Sequence, residues 1–131
     1  MDQKRILLVE DKATFREPLM KALAREGYCI SFADNGRLAL QVLETETPDL
    51  LILDIGMPEL DGLTLLAKLR NNPNNTDLPV IFLSARDDDI TRHYAEKHNV
   101  IDYFIKAEFS MQSLLERVGK ILSGGRSAEE L

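Results

Sequence analysis

Leu50-Leu51-Ile52-Leu53-Asp54-Ile55-Gly56-Met57-Pro58 decides the fold. An aliphatic run this short, introduced by Pro48-Asp49 and closed by Gly and Pro, predicts a strand buried on both faces. Asp54 then stands at its carboxyl end. In open α/β sheets, ligands bind in the crevice outside the carboxyl ends of the strands, so a charge there faces a site. Alone, Asp54 would read as a residue opening a turn. The question is whether other strands deliver matching groups to the same edge.

Three other runs do. Ile6-Leu7-Leu8-Val9 ends on Glu10-Asp11, Pro79-Val80-Ile81-Phe82-Leu83 on Ser84-Ala85, and Tyr103-Phe104-Ile105 on Lys106. Tyr28-Cys29-Ile30-Ser31-Phe32-Ala33 is a further strand, followed by an Asp34-Asn35-Gly36 turn. Helical apolar stripes alternate with these runs. They comprise Phe15, Leu19, Ala22 and Leu23, stopped by Gly27; Leu38, Ala39, Val42 and Leu43; Leu63, Leu65, Leu66 and Leu69; a weak stripe through Ile90, Tyr94 and Ala95; and Leu114, Leu115, Val118, Ile121 and Leu122, capped by Ser110. Asn99 is expected to take the left-handed position that ends the fourth helix. Pro18 removes a backbone hydrogen bond and implies a kink or a late start in the first. The stretch from Asn71 to Leu78 reads as a polar loop.

Five βα units predict a doubly wound parallel sheet with right-handed crossovers and helices on both faces. In the flavodoxin-like order 2-1-3-4-5 the first and third strands are neighbours, so Glu10, Asp11 and Asp54 converge. The chain has 131 residues and is 44% hydrophobic, which fits one domain at 1–122 with a tail or linker at 123–131. The single Cys29 cannot form an internal disulfide and reads as packing rather than redox. No apolar segment resembles a signal peptide or membrane span, so a cytoplasmic location is expected. The net charge of −6, with scattered basic residues, argues against direct nucleic-acid binding. Asp87-Asp88-Asp89 reads as a solvated helix start, and His93 and His98 as surface helix residues.

Carboxylates about 4 Å apart repel by roughly 4 kcal/mol per pair at an effective dielectric near ~20, so a proton or cation must offset them. Hard oxygen donors with room for water suit Mg²⁺. Lys106 can pair with Asp54 or with a phosphoryl oxygen, and Ser84 can donate to another oxygen. A carboxylate nucleophile, a metal, an ammonium and a hydroxyl together suit phosphoryl transfer, with Asp54 becoming an acyl phosphate.

These residues, with Asp34-Asn35-Gly36, the Asp54-to-Gly62 segment and Asp102-Tyr103-Phe104-Ile105-Lys106, resemble the receiver domain of two-component response regulators from Lys4 to about Leu122. The resemblance implies that Asp54 accepts a phosphoryl group from a sensor histidine kinase or phosphotransfer protein, and that Glu10, Asp11, Asp54 and the Gly56 carbonyl surround Mg²⁺. It further implies that Ser84 and Tyr103 switch the surface of the fourth helix, fifth strand and fifth helix toward an effector or output domain. Phosphorylation-linked homodimerisation through that face is admitted, although no apolar patch supports it. Such a protein catalyses only its own phosphorylation and dephosphorylation. Two departures stand out. Ala107 follows Lys106 where a cis proline is common, which implies a changed loop, and Gly56 has no side chain to govern an attacking water, which leaves the phosphoryl lifetime to Arg86 and bulk access. Rival readings are an aspartyl-nucleophile phosphohydrolase, a flavin carrier and a receiver-like module that binds without phosphorylation. The first lacks its Asp-x-Asp after the first strand, and the second its Ser/Thr-rich phosphate loop.

Overall fold

A computed structural model describes residues 3–56, 62–85 and 87–123. Strands β1 (Arg5–Val9), β2 (Cys29–Ala33), β3 (Leu50–Asp54), β4 (Val80–Ser84) and β5 (Asp102–Ile105) form one parallel sheet in the order β2-β1-β3-β4-β5. Helices α1 (Ala13–Arg25), α2 (Gly36–Thr45), α3 (Gly62–Arg70), α4 (Asp89–Lys97) and α5 (Met111–Leu122) connect or follow them. The order is the one expected.

The central strands are near-continuously apolar because the sheet is covered on both sides. Side chains alternate across a strand, and the two cores follow that parity. Leu7, Val9, Leu51, Leu53, Val80 and Phe82 pack with Ala39 of α2, Leu65, Leu66 and Leu69 of α3, and Ala95 of α4. Ile6, Leu8, Leu50, Ile52, Ile81 and Leu83 face α1 and α5, through Leu19, Leu23, Leu114, Val118 and Leu122. Continuing the parity, Glu10, Asp54 and Lys106 project on the α1/α5 side of the sheet.

Helix ends follow local chemistry. Asn35, Asp88 and Ser110 accept from the amides of Leu38, Thr91 and Ser113, at 2.9, 2.7 and 3.0 Å, so each caps its helix. Asn35 and Gly36 therefore open α2 rather than forming a separate turn. Gly27 (φ 96°) and Asn99 (φ 60°) take the left-handed position after α1 and α4. In each case the next amide reaches back five residues, Tyr28 to the Leu23 carbonyl and Val100 to the Ala95 carbonyl.

Four expectations need correction. α1 starts at Ala13 and runs through Pro18, so the late start does not occur; Pro18 is exposed, where water can reach the carbonyl it leaves unbonded. Ile90 is 81% exposed, and α4 is held instead by Thr91, Ala95 and Tyr94. Cys29, at the start of the edge strand, is exposed rather than packed. The stretch after α3 contains a 3₁₀ turn at Pro73–Asn75, organised by Arg70. That guanidinium donates to the carbonyls of Asn75, Thr76 and Leu78 on one side, and of His98 and Asn99 on the other. One cation thus ties two loops together at the end of the sheet opposite Asp54.

At the Asp54 end, α3 lies so close to β3 that a β-carbon on Gly62 would fall 2.5 Å from the Ile55 Cα and 2.8 Å from the Asp54 carbonyl oxygen. Backbone would have to move. Gly62→Ala is expected to destabilise the fold by roughly 1–3 kcal/mol, read as a lowered urea midpoint. An unchanged midpoint would contradict this close approach.

Candidate functional site

The strand registers decide which residues meet. Val9 lies opposite Leu53, Asp54 opposite Leu83, and Ser84 opposite Ile105. Glu10 therefore continues level with Asp54, and Lys106 follows level with the end of β4. The edge is closed by backbone bonds, from the Glu10 amide to the Ala33 carbonyl, from Ile55 to Leu83, and from Lys106 to Ser84.

Glu10 and Asp54 are buried and Asp11 is half-buried, and one oxygen from each lies within 4.8 Å of the others. Lys106 Nζ is 2.7 Å from Glu10 Oε1 and 3.2 Å from Asp54 Oδ2. Asp54 Oδ1 accepts from the Gly56 amide at 3.1 Å, and Glu10 Oε2 accepts from the Lys12 amide at 3.0 Å. Buried Ser84 lines the same pocket of about 170 Å³, together with Asp11, Lys12, Gly56 and Lys106. A larger hollow of about 430 Å³, between Phe32, Leu38 and Val42 beside the edge strand, contains none of these groups.

Among the described residues, three carboxylates gather beside the Lys106 ammonium. Burial pushes Glu10 from 4.5 up to about 7; Lys106 and the Lys12 amide oppose that rise, and Asp54 reinforces it. Burial pulls the Lys106 ammonium down, but Glu10 and Asp54 outweigh it and raise it above its ordinary value. Both shifts describe one pocket short of positive charge. Glu10 Oε1 makes no aligned hydrogen bond despite the nearby ammonium. A buried oxygen in that position, with two further carboxylates within reach, fits a hard divalent cation such as Mg²⁺.

The structure brings together every acid, hydroxyl and ammonium that the sequence placed at this edge. Tyr103 is separate. It is half-buried on β5, edge-on to Phe82 at 6.1 Å, with the Arg92 guanidinium 4.7 Å from its ring centroid. Arg92 in turn pairs with Asp87. The Lys106-Ala107 peptide is trans, and the loop closes through the Glu108 and Phe109 amides, which both donate to the Ile105 carbonyl. Arg86, residues 57–61 and residues 124–131 lie outside the described residues.

Sequence reasoning missed the α1 contribution. Phe15, read as one member of a core stripe, places its ring 4.7 Å from Lys106 Nζ. Arg16 donates to the Glu10 carbonyl at 3.0 Å and stacks over Phe32. The available signal was position, since both follow the acids of β1 within one turn or so of helix.

Residues 6–119 match the response regulator receiver domain. The chain belongs to that family. It is 36% identical over 118 residues to the response regulator MprA of Mycolicibacterium vanbaalenii, and equally to that of Mycobacterium tuberculosis, covering 90% of this chain. It spans about half the length of these curated relatives, 50% in each case. Among solved structures, a putative response regulator from Chloroflexus aurantiacus is 34% identical, with a TM-score of 0.85 over 93% of this receiver and 99% of that chain. The response regulator TrrA of Thermotoga maritima, solved in complex with Mg²⁺-BeF, is also 34% identical, with a TM-score of 0.79 over 91% and 99%. A CheY-like receiver domain from Methanospirillum hungatei, 23% identical, shares the fold at a TM-score of 0.87, over 97% of this chain and 99% of that one. No helix among the receiver's described residues is long and apolar enough to cross a membrane.

The raised Glu10 value gives the receiver a pH signature. Between 4.5 and about 7 the folded state holds a proton that the unfolded state has released. Stability from Glu10 is therefore present below that window and lost as pH rises through it. Without divalent cations, the unfolding free energy is expected to fall from pH 5 toward pH 7.5, and to fall less in Glu10→Gln. Equal pH slopes in the two proteins would contradict the assignment.

Proposed function

We propose that this receiver is a phosphorylation-dependent signalling switch in which Asp54 accepts a phosphoryl group from a sensor histidine kinase or a phosphotransfer protein. The observation that carries the reading is the meeting of Asp54 with Glu10, Asp11 and Lys106 at one sheet edge. Family membership and the Mg²⁺-BeF complex of TrrA support it.

An Asp54 oxygen attacks phosphorus as the phosphorus–nitrogen bond of a phosphohistidine breaks. The imidazole leaves with that electron pair, and the aspartyl oxygen–phosphorus bond forms an acyl phosphate. The Gly56 amide fixes Asp54 by holding Oδ1. Lys106, already 3.2 Å from Oδ2, is placed to neutralise charge spreading over the phosphoryl oxygens, and the Ser84 hydroxyl can donate to another of them. Glu10, Asp11, Asp54 and the Gly56 carbonyl would hold Mg²⁺, which when bound offsets both the carboxylates and the incoming phosphoryl charge.

The readout runs through the face built from α4, β5 and α5. Tyr103 lies between Phe82 in the core and Arg92 on α4, so a change in its rotamer would alter packing and surface together. Receiver domains of response regulators work with histidine kinases and output domains, and the half-length match to MprA fits an output domain as the effector. Phosphorylation-linked homodimerisation would use the same face. The reaction is self-directed, with no turnover of a small substrate beyond the phosphodonor, and its place is the cytoplasm, where response regulators act.

Incubation with Mg²⁺ and phosphoramidate, followed by intact-mass analysis, tests this. One phosphoryl group is expected on wild type, and none on Asp54→Asn or in the presence of a chelator. Modification that persists in Asp54→Asn, or a folded wild type that stays unmodified, would overturn the proposal.

A further inference from the structure

We infer that Phe15 is a positioning residue for the phosphoryl transfer, its ring holding the Lys106 ammonium over the pocket through a cation–π contact. The inference rests on the phosphoacceptor reading of Asp54 and concerns what keeps Lys106 in place.

Lys106 has three N–H donors and two carboxylate neighbours, Glu10 Oε1 at 2.7 Å and Asp54 Oδ2 at 3.2 Å. The Phe15 ring, 4.7 Å from Nζ to its centroid, is a third neighbour of a different kind. An aromatic face attracts a cation without carrying formal charge. A third carboxylate would cancel more of the positive charge that the phosphoryl oxygens need. An aliphatic side chain would only desolvate the ammonium. When a phosphoryl oxygen arrives, Lys106 must loosen its hold on at least one carboxylate, whereas the ring contact can persist throughout.

The ring is itself held. Phe109 packs on it with centroids 5.5 Å apart, and Phe104 meets Phe109 edge-on at 6.2 Å. Phe109 reaches Phe15 because its amide and that of Glu108 fold back onto the Ile105 carbonyl. The loop that follows Lys106 therefore returns to support the ring that Lys106 touches.

A Phe15 that serves packing alone would change stability and reactivity together, and any side chain of similar bulk would serve. Initial phosphorylation rates with phosphoramidate at saturating Mg²⁺ separate the two roles in Phe15→Leu, Phe15→Tyr and Lys106→Met. From the strength of cation–π contacts, Phe15→Leu is expected to react roughly 3- to 30-fold more slowly and Phe15→Tyr within about twofold of wild type. Mg²⁺ affinity by calorimetry should stay within about twofold in both Phe15 variants, because neither substitution removes an oxygen ligand. The Lys106 ε-methylene protons should show a ring-current shift in wild type and Phe15→Tyr that is lost in Phe15→Leu. If Phe15→Leu fails to fold, Phe15→Met takes its place in each comparison. A wild-type rate in the Leu or Met variant, or an equal fall in Phe15→Tyr, would overturn the inference. A wild-type rate in Lys106→Met would remove the role of Lys106 and the inference with it. If wild type takes no phosphoryl group, the reading of Asp54 fails, and the ring-current shift still reports whether Phe15 and Lys106 touch.

Discussion

Like charges gathered at one edge of a parallel sheet are the constraint on which the rest of this structure depends. Three carboxylates with oxygens within 4.8 Å of one another repel by roughly 3–4 kcal/mol per pair at an effective dielectric near ~20. Marginal stabilities of about 5–15 kcal/mol leave little room for that cost. One ammonium, two backbone amides and a tendency of Glu10 to keep its proton offset part of it. The remainder is a standing affinity for positive charge. A site of this kind stays receptive because it is incompletely satisfied.

The sheet bears the cost through its cores. β1, β3 and β4 are buried on both faces, and the parity of β1, β3 and β5 sends Glu10, Asp54 and Lys106 to the side covered by α1 and α5. α1 then supplies what the strands cannot, with the Lys12 amide on Glu10, Arg16 on its carbonyl and Phe15 beside Lys106. α3 must approach close enough that Gly62 has no room for a side chain. At the opposite end, Arg70 binds the loops after α3 and α4, so distortion at the reactive edge meets a fixed far end.

Much of this was legible in the sequence for a physical reason. Short apolar runs ending on Glu10, Asp54, Ser84 and Lys106 admit few arrangements, and a parallel sheet puts their ends together. Asn99 could be placed because only a few residue types enter the left-handed region at small cost. Where reading failed, the deciding contacts were tertiary. Ile90 looked like part of a core stripe, yet α4 turns Thr91 and Ala95 inward and leaves Ile90 in solvent. Cys29 sits at an edge whose exposure depends on strand order. The aromatic contact to Lys106 joins positions 91 residues apart, 15 and 106, which no local pattern connects.

The most direct test of this account is the response of stability to charge at the edge. Melting temperatures of wild type and Asp11→Asn, measured with chelator and then with Mg²⁺, isolate it. Without metal, Asp11→Asn is predicted to melt above wild type, because one repelling charge is gone. With Mg²⁺, wild type is predicted to rise and the variant to rise much less. A wild type indifferent to Mg²⁺, or a metal-free Asp11→Asn that melts below it, would contradict the claim that unrelieved carboxylate repulsion governs the site.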